Sequence, residues 1–272
     1  QYNDSWLDDM ISTVECSYGK INDKLLKEHI DLIDSYAEFC NDSLRHQVFF
    51  EKNGKYKASS YEEVKTNLYL NEEHMNKKYL PGMLISHFLW PQHHYMLSAF
   101  KKAILPRLNN IKLFFEVGVG CGLYSKTVLE YETACYGIGF DISKYSLDYT
   151  RMLMTKSKLL DRYSLELHDI KNEYKKNCDF LICQEVLEHL ENPDLFCKWL
   201  YNLVESNGFA YITAALNAGH SDHIYLFKEP NEVEKIIRDA GFQIININEE
   251  FSFNFKPRNI TPSLCAFFCT KN

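Results

Sequence analysis

The sequence predicts an α/β fold on an open, mostly parallel sheet, and three observations carry that prediction. From residue 111 onward, short apolar runs alternate with stretches of helical periodicity, as in strand–helix–strand units with right-handed crossovers. One run, Phe114-Phe115-Glu116-Val117, passes through an acid into Gly118, Gly120 and Gly122 and then into a helical pattern, which reads as strand, tight turn, helix. Glu116, Asp141, Asp169 and the segment Gln184–His189 all fall at the carboxyl ends of predicted strands, where such sheets bind their ligands. Polar residues placed at random would be spread over both ends.

The elements follow in order. Residues 1–108 read as a helical cap and residues 109–272 as the sheet domain. In the cap, the apolar spacing of Ile21–Cys40 is mostly helical, Asn53-Gly54 marks a turn, and Ser60-Tyr61-Glu62-Glu63 resembles a helix start. Pro81-Gly82 is expected to break the chain, and Pro91 to open a helix within the aromatic-rich stretch Met83–Leu108. No Gly/Ser/Pro linker separates the halves, so the cap is expected to pack on the core. In the second half, strands end at Glu116, Asp141, Asp169 and Cys183. Helices are expected at Leu123–Tyr131, Lys144–Lys158, Pro193–Ser206 and Asn231–Ala240, the last stopped by Gly241. A fifth strand, Phe209–Ala214, follows Asn207-Gly208, and the strands Gln243–Asn248 and Pro262–Cys269 close the sheet.

Composition narrows the function. The 272 residues suffice for one large or two modest domains, and no apolar run is long enough to span a bilayer. Net charge is −7, and residues 1–110 and 111–272 carry 13 basic to 15 acidic and 17 basic to 22 acidic side chains. Neither half has the cationic surplus that phosphate neutralisation needs, so nucleic acid is disfavoured as a partner; the run Lys171–Lys176 reads as a solvated loop. Nine scattered cysteines without a Cys-x-x-Cys pair read as reduced thiols. With polar opening residues that form no leader pattern, they set a cytoplasmic protein as the expectation.

The glycine loop sorts the ligand. A dinucleotide fingerprint needs a last glycine where this chain has Leu123, so that pattern fails. The acid before the loop repels a pyrophosphate but can accept hydrogen bonds from an ammonium. Glu-x-Gly-x-Gly-x-Gly instead resembles motif I of the class I S-adenosylmethionine (SAM)-dependent methyltransferases. Asp141-Ile142, 23 residues beyond Gly118, Asp169 after the third strand, and Gln184-Glu185-Val186-Leu187-Glu188-His189 after the fourth fall where that family has its further motifs. The last resembles the branch with the ubiquinone-biosynthesis O-methyltransferases. The resemblance covers roughly residues 111–272. It implies a Rossmann-like open seven-stranded sheet with an antiparallel final hairpin under the N-terminal helical cap, and SAM as cofactor. It also implies cofactor-binding roles: Glu116 for the methionine ammonium, Gly118, Gly120 and Gly122 for the loop beneath the cofactor, Asp141 and Ile142 at the ribose, Asp169 and Ile170 at the adenine, and Gln184 beside them.

The acceptor side is less determined. Glu188, His189 and His223 are the candidate catalytic residues facing a small-molecule acceptor; His93 and His94 are further candidate bases. Glu185, Glu188 and His189 stand at i, i+3, i+4, and a helical turn would project all three to one side. With His223, and His94 from the cap, they form a candidate site for Mg, Mn, Fe or Zn. The Glu-x-x-Glu-His…His pattern resembles the metal site of the RNA 3′-terminal 2′-O-methyltransferases. A His ligand from a helical cap resembles the metal-dependent α-keto-acid C-methyltransferases. The same pattern also occurs in methyltransferases without metal, where His189 would line the acceptor pocket. A SAM-binding regulatory module without turnover is the alternative from another class.

Overall fold

β1 (Leu113–Val117) lies inside a seven-stranded sheet and carries the loop that the sequence singles out. The structure, a computed structural model, describes residues 4–20, 26–252 and 261–272. Ahead of β1 come α1 (Asp4–Tyr18), α2 (Leu26–Asn53), α3 (Tyr61–Val64), α4 (Glu72–His74), α5 (Leu80–Leu89) and α6 (Pro91–Ala103). The first residues of the helix expected at Ile21–Cys40, 21–25, lie outside the described residues; the remainder runs on to Asn53. Ser60 caps α3 by accepting from the Glu63 amide, and Pro91 opens α6. α3 and α4 each continue into a turn of π-helix, Lys65–Tyr69 and Met75–Tyr79, a rare geometry that gathers at functional sites.

The expected break at Pro81-Gly82 is corrected: both residues lie in the first turn of α5. The π turn Met75–Tyr79 runs directly into α5, so the chain stays helical from Glu72 to Leu89, and Pro81 follows at once on that widened turn. Gly82 permits the close approach of α5 to α2, where a Cβ would sit 2.4 Å from Phe39 Cβ. The aromatic segment is buried into one apolar cluster that runs from Phe39, Leu84 and Phe100 in the cap to Phe114, Phe180 and Tyr211 in the sheet.

After β1 the chain alternates: α7 (Leu123–Tyr131), β2 (Tyr136–Asp141), α8 (Lys144–Lys156), β3 (Tyr163–Leu167), β4 (Cys178–Cys183), α9 (Pro193–Leu203), β5 (Val204–Leu216), α10 (Pro230–Asp239), β6 (Gln243–Phe251) and β7 (Ser263–Thr270). The strand order is β3-β2-β1-β4-β5-β7-β6, parallel except for β7, which runs antiparallel to both its neighbours. This is the Rossmann-like arrangement that the resemblance implied.

Most boundaries of the sheet domain fall within three residues of expectation, and one differs more. Asn207-Gly208 does not separate helix from strand: α9 stops at Leu203, and β5 runs through the pair with Asn207 at φ +67° and a register shift against β4. Asparagine tolerates this left-handed conformation, and its amide is satisfied by the Lys271 carbonyl at 2.7 Å. No helix among the described residues is long and apolar enough to cross a membrane, and the nine cysteines are unpaired.

Candidate active site

β1, β2 and β4 end on one rim, and above it lies a cavity of about 400 Å³, within the range of small-molecule sites. β1 delivers Glu116, which is 2% exposed. Its Oε2 accepts from the Ser125 amide at 3.1 Å and from the Ser125 hydroxyl, so the acid also caps the first turn of α7. Burial pushes its carboxyl up to about 8, against the pull of those hydrogen bonds. The loop then passes through Gly118 at φ +75°, where a Cβ would meet Val186 Cγ2 at 2.6 Å. Gly122 is the N-cap of α7 and lies off the cavity wall, whereas Gly118 and Gly120 line it.

β2 ends at Asp141. Its Oδ2 accepts from the Gly120 amide at 3.3 Å and its Oδ1 from the Ser143 amide at 2.8 Å. Burial pushes this carboxyl up to about 6. Ile142, Asp169, Ile170 and Gln184 stand on the same wall, so eight of the nine predicted cofactor-binding residues share one cavity. Asp169 is paired with the only lysine of that wall among the described residues, Lys171, whose Nζ lies at 2.8 Å.

The opposite wall joins cap to core through a buried carboxylate. Asp222 is fully buried and accepts from Tyr79 Oη at 2.7 Å, Tyr69 Oη at 3.1 Å and His220 Nδ1 at 2.5 Å. Burial opposes its ionisation, but the adjacent His189 and His220 outweigh that and hold its carboxyl well below the ordinary range. His189 and His223 face the cavity with ring centroids 4.9 Å apart. His223 Nδ1–H donates to the Ala218 carbonyl at 2.6 Å, and His189 Nδ1–H to the Asp222 carbonyl at 3.1 Å. With Nδ1 so engaged, Nε2 is the nitrogen of each ring left to meet a ligand. Burial and the neighbouring His189 pull His223 well below its ordinary value, so it is neutral.

Glu188 lies behind them, fully buried. Its Oε1 accepts from the Ala215 amide at 3.0 Å, and its Oε2 is buried without a partner among the described residues. Burial pushes its carboxyl up to about 8. One ligating atom from each of Glu188, His189 and His223 lies within 4.8 Å of the other two. Two pre-oriented imidazoles and an orphaned carboxylate oxygen fit a divalent cation.

The other two predicted metal ligands are not in this trio. The expected helical turn is only a 3₁₀ turn, Leu187–His189, and Glu185 sits before it at φ +49°. Its Oε2 lies 3.6 Å from His93 Nε2 instead, and burial pushes its carboxyl up. His94 is off the cavity wall, edge-on to Trp6 at 6.3 Å; a helix turns 100° per residue, so α6 presents His93 to the cavity and His94 away from it. Asp222, Tyr69 and Tyr79 had no distinct signal in the sequence, because the tyrosines reach the acid across 153 and 143 residues. The one hint was its place between His220 and His223.

Comparison with known proteins adds the family. Residues 115–212 match the family described as Methyltransferase domain. Over 118 residues the chain is 30% identical to the ubiquinone biosynthesis O-methyltransferase of Pelagibacter ubique (strain HTCC1062), covering 43% of this chain and 47% of that protein. The match thus spans about half the length of that relative. Among solved structures, an O-methyltransferase family protein from Burkholderia thailandensis has a TM-score of 0.60 at 13% identity, covering 89% of this chain and 71% of its own. The N-methyltransferase NodS from Bradyrhizobium japonicum WM9, solved with S-adenosyl-L-homocysteine, has a TM-score of 0.53 at 12% identity, covering 78% and 99%. At such identities these structures speak to the fold alone. The family match, the curated relative and the seven-stranded sheet with its glycine loop make this chain similar, over residues 115–212, to the methyltransferase domains of class I SAM-dependent enzymes.

Proposed function

We propose that the protein transfers the methyl group of SAM to a small-molecule acceptor enclosed between cap and sheet, assisted by a divalent cation at Glu188, His189 and His223. One observation supports this above the rest: the acids and glycines of the rim and the imidazoles of the opposite wall line a single cavity. In this reading Glu116 takes the methionine ammonium, Asp141 clamps the ribose hydroxyls and Asp169 meets the adenine. Methyl transfer is an in-line displacement, so the protein's task is to align the acceptor and exclude water. The aromatic wall of Phe39, Tyr79 and Trp90 serves the second need. A bound cation would chelate the acceptor and acidify its proton. His223, neutral and with Nε2 free, and His189 are placed to hold the cation or receive that proton.

Calorimetric titration tests the cofactor half. SAM should bind saturably, and no binding at millimolar SAM would end the reading. Titration of Zn, Mn or Fe(II) alone tests the cation half; unchanged affinity after Glu188→Ala plus His223→Ala would remove it. A metal-dependent α-keto-acid C-methyltransferase would use the same trio, with the acceptor's carbon as nucleophile. An RNA 3′-terminal acceptor has less support, since Lys171 is the only lysine or arginine on the cavity wall among the described residues. Salt-dependent RNA affinity would restore it. A SAM-binding regulatory module without turnover would keep Asp141 and the glycine loop but would have no need of His189 and His223 on the opposite wall.

A further inference from the structure

α2 packs onto the molecule through Leu32, Ser35, Phe39, Gln47 and Phe50, and its Phe39 and Ser43 reach the main cavity. Phe39 also walls a second cavity, of about 420 Å³, on its far side. The outer side of the helix carries a different pattern. Ile33, Ala37, Cys40, Leu44 and Val48 recur every three or four residues, and at about 100° per residue they fall within an arc of about 80°. Ile33, Leu44 and Val48 are 65%, 52% and 56% exposed, Ala37 is exposed and Cys40 is half-buried. Single exposed apolar side chains are ordinary, but a stripe of them along about four turns of one helix marks an interaction face. We propose that this stripe pairs with the same stripe of a second copy of the chain, the two α2 helices running antiparallel about a two-fold axis at the level of Cys40.

Spacing and charge both point to that occupant. With the axis between residues 39 and 40, the partner's Leu44 falls level with Ser35, in the gap between Ile33 and Ala37. The partner's Val48 falls level with Asp31, just beyond Ile33. Large side chains thus enter gaps of the facing stripe, as knobs do in a coiled-coil seam. The smaller Ala37 and Cys40 lie nearest the axis and let the helices approach. Asp34 and Arg45 flank the stripe on the same side, both exposed. Neither has an ion-pair partner among the described residues. Neighbouring charges are engaged: Glu38 with Lys78 at 2.8 Å, Asp42 with His46 at 3.4 Å, and Glu51 with the Gln47 side-chain amide at 3.1 Å. An antiparallel two-fold sets each flank against itself, so Asp34 lies level with the partner's Arg45 and the pair is made twice. A parallel arrangement would set Asp34 and Arg45 against the flank of Tyr36 and Ser43, which carry no charge. The apolar stripe supplies the affinity; the charges fix direction and register.

The pairing does not depend on the methyl-transfer reading. One helix pair is a small interface, so the dimer should dissociate in the micromolar range. Sedimentation equilibrium of the full chain tests it. The mean mass should rise from 32.0 kDa in dilute solution toward twice that value, and the dimer should dominate at about 200 μM. Leu44→Glu should remain a monomer across the series with an unchanged circular dichroism spectrum, since Leu44 is exposed in the single chain. Asp34→Arg and Arg45→Asp should each weaken dimerisation roughly fivefold, and the two together should restore it, because the exchange rebuilds both pairs. A short bismaleimide should join two chains through Cys40, and Cys40→Ser should abolish the joined species. A wild-type chain that stays monomeric at about 200 μM would overturn the proposal and leave the stripe to a different partner. A dimer indifferent to Leu44→Glu, or one that the double exchange does not restore, would overturn it as well.

Discussion

At the scale of single residues, Asp141 and Glu116 carry the cofactor reading. Asp141 already accepts from two backbone amides, so it is held at the loop before any ligand arrives. Asp141→Ala should weaken SAM binding by about 1.5–3 kcal/mol, the worth of a hydrogen bond to a charged group, with an unchanged circular dichroism spectrum. Glu116 must be ionised to hold an ammonium, yet burial puts its carboxyl at about 8. SAM affinity should therefore rise as pH increases from 6 toward 8, with a proton released on binding. In Glu116→Gln the rise should flatten and the affinity fall; a slope that survives would remove Glu116 as the ammonium's partner. Both acids were legible as sequence, because each ends an apolar run at a fixed place in a repeating strand–helix unit. His93 and His94 were not separable in the same way. Only the rotation of α6 decides which of two adjacent imidazoles meets the cavity.

At the scale of elements, the stretch from Ser60 to Tyr69 crosses the cavity as a strap. The Tyr61 amide donates to Glu191 Oε1 at 3.0 Å, Ser143 Oγ donates to the Tyr69 carbonyl at 2.7 Å, and Tyr69 Oη donates to Asp222. Tyr61 lines the cavity beside Asp141 and Asp169. Tyr61→Ala should speed SAM dissociation in stopped-flow while leaving the melting temperature near wild type. An ordinary cap offers a contrast. Asn192 accepts from the Leu195 amide at the start of α9, and Asn192→Ala should cost about 1 kcal/mol in urea unfolding. The helix starts at Ser60 and Pro91 were legible from local chemistry, since capping and proline geometry act within one turn. The π turns and the bulge at Asn207 were not. They arise where packing asks a backbone to do what its own propensity does not prefer.

At the scale of the whole molecule, burying acids around a cavity has a cost that pH reveals. Glu116 stands at about 8 against an ordinary 4.5, and Asp141 at about 6 against 3.8. Between the ordinary and the raised values, the folded state keeps protons that the unfolded state has released. Stability should therefore fall as pH rises from about 4 to 8, each acid contributing about 1.4 kcal/mol per pH unit across the interval between its two values. Glu116→Gln should remove part of that slope in a pH series of thermal melts. SAM should raise the melting temperature most at the alkaline end, where its ammonium compensates the buried charge, and at about 100 times Kd it should add about 2.7 kcal/mol. By itself, the order of residues determined the strand–helix alternation, the glycine turn and the acids at the strand ends, because these depend on neighbours a few positions apart. Tertiary structure alone decided that Asp222 ties Tyr69 and Tyr79 of the cap to His189 and His220. It also decided that Glu185 and His94 turn away from Glu188, His189 and His223 and that a second cavity opens behind Phe39. The two tyrosine contacts span 153 and 143 residues, and no local pattern encodes the direction in which a side chain points after the chain has closed on itself.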